Sequence, residues 1–290
     1  MDSINQIQLI KTHSKNLGIS ADEIGLAKDI VLNKNKDKSL FVCEGLWAVD
    51  KLIEKNIEVL YFFFNQEKID ANQETEKNLN DIAKMVKYAK NSFGISAKAC
   101  KKISDRDGYD EYFIIARQPE CTFESLEKQF SGNNNVLAIV MDGLEQPGNI
   151  GAILRSFDSA GGDFAIIVNK KARLTNSRLV RASLGASFIL PVLETDIETA
   201  QNWLVENNYK CVVTDLQAKK SFKDADYSNR VAIVAGNEHT GISASWRAVK
   251  NAESIIIPML GSVESLNVGF ASTLVAYEAG LQKFGNKKSK

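Results

Sequence analysis

Histidine and cysteine are scarce: the 290 residues hold two of the first and four of the second. Cys43, Cys100, Cys121 and Cys211 stand far apart and form no Cys-x-x-Cys pair. With so few partners to complete a ligand set, no metal site is expected. The cysteines read as reduced, partly buried small hydrophobes. Net charge is also missing, since Lys+Arg and Asp+Glu both total 36. That balance neither supports nor excludes RNA binding, because a local basic patch suffices. No apolar run approaches the roughly 18 to 20 residues that span a bilayer. The start, "MDSINQIQLIKTHSKNL", lacks the basic-then-apolar order of a signal peptide. The expectation is a cytoplasmic protein with no membrane partner.

Hydrophobic residues at 44% and charged ones at 25% are ordinary for a globular protein, and the length allows two modest domains. "SGNNN", residues 131 to 135, is the best internal break. Before it, residues 1–130 read as a helical segment followed by a small α/β domain. Its strands are "SLFVCEG", "IEVLYFFF" and "YFIIARQP"; its helices are "LWAVDKLIEKN" and "EKNLNDIAKMVKYAKNS". Residues 136–290 alternate more strongly. Strands are expected at "VLAIVMD", "FAIIV", "SFILPV", "YKCVVTD", "RVAIVAG" and "ESIIIPM", rich in Val and Ile as buried parallel strands are. Helices are expected at "IGAILRSFDSAG", "SRLVRASLG", "IETAQNWLVENN", "SASWRAVKN" and "LNVGFASTLVAYEAGLQKF". The fold class is therefore α/β: a parallel sheet with helices on both faces, behind a smaller α/β domain.

Ligands of such sheets bind beyond the carboxyl ends of the strands, and three unusual clusters stand there. The first is "MDGLEQPGNIGAILRS", a turn-rich loop in which Asn149 is expected as the helix N-cap. The helix turns Ile150, Ile153, Leu154 and Phe157 to one face and leaves Arg155 away from it or near its edge. Asn149-Ile150 stands where a P-loop needs Lys-Ser/Thr, and no G-x-G-x-x-G fingerprint is present. The second cluster is "VAGNEHTGIS", where Gly236 permits close backbone approach, Asn237 tolerates unusual dihedrals and Glu238 supplies a carboxylate. His239, with no Cys or His nearby, reads as a loop residue rather than a base. The third is "IIIPMLGSVESLNVG", with Pro258 ending the strand, Ser265 expected as the next N-cap, and Gly269 standing oddly inside the helix.

Taken together, in this order, the three clusters resemble the SpoU (TrmH-like) RNA ribose 2′-O-methyltransferases. "QPGNIGAILRSFDSAG" matches the first family motif through Asn149 and Arg155. "VAGNEHTGIS" matches the second through Glu238, and "IIIPMLGSVESLNV" the third through Ser265 and Asn267. "RLVRASLGASFILPV" is also family-like. The resemblance covers Val136 to about Leu281, and "FVCEGLWAVDKLIEKN" is similar to the opening of the L30e-like substrate-binding domain that many members carry. One departure is Gly269, where the family usually has serine.

The resemblance implies S-adenosyl-L-methionine as cofactor, ribosomal RNA ahead of transfer RNA as partner, a homodimer through the catalytic domain, and a deep trefoil knot. General topology rules argue against any knot, so that expectation rests on the resemblance alone. Carried over residue by residue, Arg155, Asn149, Glu238, Ser265 and Asn267 are the catalytic set. Gly236, Asn237, Ile257, Met259 and Leu266, with Thr214, would hold the cofactor, largely through main-chain groups. The family proposal makes Arg155 a base. A guanidinium stays protonated in proteins, so a bidentate clamp on the adjoining phosphate is the preferred alternative. Three rivals stay open: a catalytically silent RNA-binding protein, a base methyltransferase, and a nucleotide-dependent oxidoreductase.

Overall fold

The computed structural model describes residues 3–14, 21–104, 108 and 111–285. The chain forms two compact units, one of Met1–Pro119 with Thr175–Gly185, the other of Glu120–Leu174 with Ala186–Lys290.

In the first unit, α1 (Ser3–His13) and α2 (Ala21–Val31) precede β1 (Leu40–Glu44) and α3 (Val49–Glu54). Then come β2 (Val59–Asn65), α4 (Gln66–Asp70), α5 (Glu76–Tyr88), β3 (Asn91–Ile95), α6 (Ala97–Ile103) and β4 (Tyr112–Arg117). The four strands make a mixed sheet in the order β1-β4-β2-β3, with only β2 and β3 parallel. The sequence reading missed β3. "NSFGI" is short and carries a glycine, so it presents no strand-like run of branched residues.

The second unit opens with α7 (Phe123–Gln129), which the sequence reading placed before the internal break. Leu126 and Phe130 are buried in this unit's core, and that packing fixes where the helix belongs. Next come β5 (Leu137–Asp142), α8 (Pro147–Ser159) and β6 (Phe164–Val168). The helix α9 (Ser177–Ser183) follows in sequence yet belongs to the first unit. There Ser177 Oγ donates to the Val31 carbonyl at 2.8 Å and Thr175 Oγ1 to that of Lys38 at 3.0 Å. Arg181 pairs with the buried Glu44. The chain returns through α10 (Ala186–Ile189), β7 (Val192–Glu194), α11 (Ile197–Glu206), β8 (Lys210–Thr214), β9 (Lys220–Ser221), β10 (Val231–Ala235), β11 (Ala252–Ile256) and α12 (Val268–Phe284).

Two expectations fail here. "SFILPV" is a helical turn followed by a three-residue strand, since Pro191 separates them and cannot donate to a ladder. "SASWRAVKN" is only a five-residue 3₁₀ segment, Ala244–Ala248, anchored by the fully buried Trp246.

All seven strands are parallel, in the order β7-β6-β5-β10-β8-β11-β9. β5, β6 and β10 are buried at every position, which accounts for their unbroken apolar sequences. α8 buries Ile150, Ile153, Leu154 and Phe157, as its spacing requires. α12 crosses α8 at backbone distance: a Cβ on Gly280 would lie 2.1 Å from the Ala160 carbonyl oxygen. No helix among the described residues is long and apolar enough to cross a membrane. The strand order sets up the site. Because β5, β10, β8 and β11 are neighbours and point one way, the loops that leave their carboxyl ends emerge side by side.

Candidate active site

Each of these loops is shaped by local rules. After β5, Gly143 takes a left-handed φ of 67° and returns its N–H to the Val168 carbonyl at 3.0 Å. α8 then begins at Pro147, whose missing N–H is harmless in a first turn. Gln146 is therefore the N-cap residue, and the expectation for Asn149 is corrected. As the third residue of the helix, Asn149 has a side chain free to bridge outward.

After β10, Asn237 closes a turn on itself. Its Oδ1 accepts from the N–H groups of His239 at 2.9 Å and Thr240 at 3.0 Å, and its main chain bonds Gly241 in both directions at 2.8 and 3.0 Å. Its Nδ2 donates to the Gly143 carbonyl at 2.8 Å and so ties this loop to the first. Beneath both, the buried Asp142 accepts from Asn169 Nδ2 at 2.7 Å and from the Ser243 N–H at 2.8 Å.

After β11, the chain runs exposed from Pro258 to Asn267, apart from half-buried Met259. Asn267, not Ser265, caps α12; its Oδ1 accepts from the Gly269 N–H at 2.9 Å. Gly269 is thus the second helical residue rather than an interior one. A Cβ there would sit 3.1 Å from Asn267 Oδ1, 3.9 Å from Ala152 and 4.0 Å from Asn149 Oδ1. The tight neighbour is the capping oxygen of Asn267, while α8 stays at ordinary contact distance.

One chain of side chains joins the three loops. Asn149 Nδ2 donates to Glu238 Oε1 at 2.9 Å, and Asn149 Oδ1 accepts from Asn267 Nδ2 at 3.4 Å. Glu238 Oε2 also accepts from the Glu145 N–H at 3.3 Å. Burial pushes the Glu238 carboxyl up, but the bonds from Asn149 and from main-chain N–H groups outweigh it and hold it below the usual range. Glu238 is ionised at neutral pH and acts here as an anchor.

A cavity of about 390 Å³ opens beside this chain, within the range of small-molecule sites. Thr214, Gly236, Asn237, Glu238, Ile257, Met259, Ser265, Leu266 and Asn267 all line it. Thr214 Oγ1 is already committed to the Val234 carbonyl at 2.9 Å, so its hydroxyl braces the sheet. Arg155 stands apart. It is exposed on α8, does not line the cavity, and its guanidinium has no partner among the described residues. The sequence reading missed Gln146 and Asp215, which line the cavity, and Asp142 with Asn169, which brace its loops. The Asp-Gly pair at the end of β5 was the available signal for Asp142.

Residues 136–277 match the family model described as the SpoU rRNA Methylase family. The chain is 36% identical over 150 residues to the 23S rRNA (guanosine-2′-O-)-methyltransferase RlmB of Bordetella pertussis, taking in 51% of this chain and 61% of that protein. It is 31% identical over 169 residues to a Staphylococcus aureus protein named for the TrmH family of tRNA/rRNA methyltransferases, covering 57% of this chain and 67% of that one. The crystal structure of the SpoU methyltransferase AviRb from Streptomyces viridochromogenes, in complex with AdoMet, superposes with a TM-score of 0.78. It is 22% identical and covers 93% of this chain and 100% of that one, a likeness of fold.

Proposed function

We propose that this chain, which belongs to the SpoU rRNA methylase family, transfers a methyl group from S-adenosylmethionine to a ribose 2′-hydroxyl of 23S ribosomal RNA. The observation that carries the reading is the Glu238–Asn149–Asn267 chain, which locks three strand-end loops around one cavity. The relative in Bordetella pertussis is named for this reaction on 23S rRNA.

The cavity fits the cofactor on its own chemistry. Its walls at Ile257, Met259 and Leu266 are apolar, leaving main-chain N–H and C=O groups to meet an adenine edge. At Gly236 any side chain would collide with the Gly241 main chain, so backbone forms that wall. S-adenosylmethionine, when bound, supplies a methyl carbon made electrophilic by its sulfonium. The protein's share is to hold the loops so that the ribose oxygen arrives in line and water is kept out. Glu238 and Asn149 fix the loop after β10 against α8, and Asn267 fixes the start of α12 against both.

Arg155, exposed and unpartnered among the described residues, would clamp an RNA phosphate with its fork, a role its free guanidinium supports. Arg155→Ala is expected to lower kcat/KM about 10- to 100-fold, the range for a lost charge-assisted bond, and Arg155→Lys to recover little of it. Lysine activity near wild type would remove the bidentate role.

The dimer belongs to the same reading. Phe270, Leu274, Tyr277 and Leu281 lie exposed at spacings of four, three and four along α12, an apolar stripe suited to a second copy of the chain. The strand order supports the knot: after reaching β9 at the far edge the chain returns to insert β10 between β5 and β8, then β11 between β8 and β9. The first unit, with its mixed sheet, would present the RNA.

The test uses tritiated S-adenosylmethionine with unmodified ribosomal and transfer RNA transcripts, followed by alkaline hydrolysis. Label in alkali-resistant dinucleotides from the 23S transcript is expected. Label in mononucleotides would move the methyl to a base, and resistant label from transfer RNA alone would change the substrate.

A further inference from the structure

Methyl transfer to a hydroxyl needs a group that takes the proton, and three titratable side chains line the cavity: Asp215, Glu238 and His239. Both carboxylates are committed. Asp215 Oδ2 accepts from Arg247 Nε at 2.7 Å and Oδ1 from the Gln217 N–H at 3.0 Å. The Arg247 bond holds its carboxyl below the ordinary range. Glu238 is tied to Asn149 and the Glu145 N–H and is likewise lowered. A carboxylate so stabilised is a poor proton acceptor. Arg155 does not line the cavity, and guanidinium has no lone pair to offer.

His239 differs from all of these. Its main-chain N–H is pinned to Asn237 Oδ1 at 2.9 Å, which fixes where the residue stands. Its ring is exposed at the cavity and has no partner among the described residues. Imidazole is also the side chain that exchanges protons near neutral pH.

We propose that the His239 imidazole is the base that accepts the proton of the ribose 2′-hydroxyl. The inference rests on the 2′-O-methyltransferase reading. In the step, the O–H bond breaks as the O–CH₃ bond forms, and the proton passes to the ring. The S–CH₃ bond breaks with its electron pair left on sulfur, giving a neutral thioether, and the imidazolium then releases its proton to water. The other titratable groups that line the same cavity are Glu238 on the same loop and Asp215, with Arg247 bonded to the latter.

The experiment measures single-turnover rates of the full chain between pH 5.5 and 8.5 for wild type, His239→Ala and His239→Gln. Binding of S-adenosylhomocysteine and of RNA is measured alongside. Wild type is expected to speed up as pH rises, as a base-assisted step does. Both variants should be about 100-fold slower, lose that pH dependence and bind both ligands normally, and His239→Ala should regain rate with added imidazole. Glutamine keeps size and hydrogen bonding without basicity, so it should rescue nothing. Unchanged rates or an unchanged pH profile would overturn the proposal, as would a rate loss matched by lost cofactor binding. If wild type itself methylates no RNA, the broader reading fails first, and the two failures are distinguishable.

Discussion

Gly236→Ala is expected to weaken S-adenosylmethionine binding by at least about 100-fold, the scale of misplacement at a site, and to lower Tm by several degrees. An alanine Cβ would lie 2.4 Å from the Gly241 carbonyl carbon and 2.4 Å from the Ile242 nitrogen, distances that real Cβ atoms essentially never show. Neither neighbour can give way. The Gly241 main chain is bonded to Asn237 in both directions, and Ser243 just beyond is held by Asp142. The clash must therefore open the turn that carries Asn237, Glu238 and His239, all of which line the cavity. Overpacking a well-filled site costs about 1 to 3 kcal/mol, which in a chain of this size is roughly 2 to 4 °C for each kcal/mol. Calorimetric titration with the cofactor and a thermal melt check both parts. Gly261→Ala is the control, since nothing lies within 4 Å of the Cβ it would add. Wild-type cofactor affinity in Gly236→Ala would mean that this turn is not a wall of the cofactor site.

The second large effect is expected from Asn149→Asp, which is isosteric but replaces the Nδ2 donor with an oxygen. That oxygen would face Glu238 Oε1 at the present 2.9 Å, so two carboxylates would share one hydrogen-bond position. Activity should fall about 100-fold at neutral pH as the loop after β10 separates from α8. The pH dependence of stability identifies the cause. In wild type the Glu238 carboxyl is held low, so its contribution is present above the ordinary carboxylate range and lost as pH falls through its folded value. In the variant the pair raises one carboxyl above its unfolded value, because like charges cannot both ionise comfortably. Stability relative to wild type is then greatest at low pH and declines as pH rises through the raised value. The Tm gap between the two should be narrow near pH 4 to 5 and wide above pH 7. Asn149→Ala, which removes the bond without adding charge, should lack that widening. A gap that is flat with pH would show that the two side chains do not meet.

Much of the site was legible before any fold was known, because its parts are local. Gly236, Asn237 and Glu238 follow directly on a continuously apolar strand, and the residues after β11 stand out by their proline, glycine and asparagine against an Ile-rich run. What periodicity misjudged was helix entry. Asn149 and Ser265 are both good cap residues in isolation. Pro147 started one helix earlier and Asn267 started the other later. Those shifts release the Asn149 side chain to join Glu238 and Asn267, a bridge between positions 89 and 118 residues apart.

The sequence by itself determined the alternation of apolar strands and helices, the scarcity of metal ligands, and which loops carry unusual residues. All of these follow from the side-chain pattern within a dozen neighbouring positions. Tertiary structure alone decided strand order, the packing of α9 on the first unit, the separation of Arg155 from the cavity, and the placing of His239 at its edge. Strand order depends on which buried faces pair across the sheet. The exposure of Arg155 and His239 depends on what packs beside them, and nothing local records either.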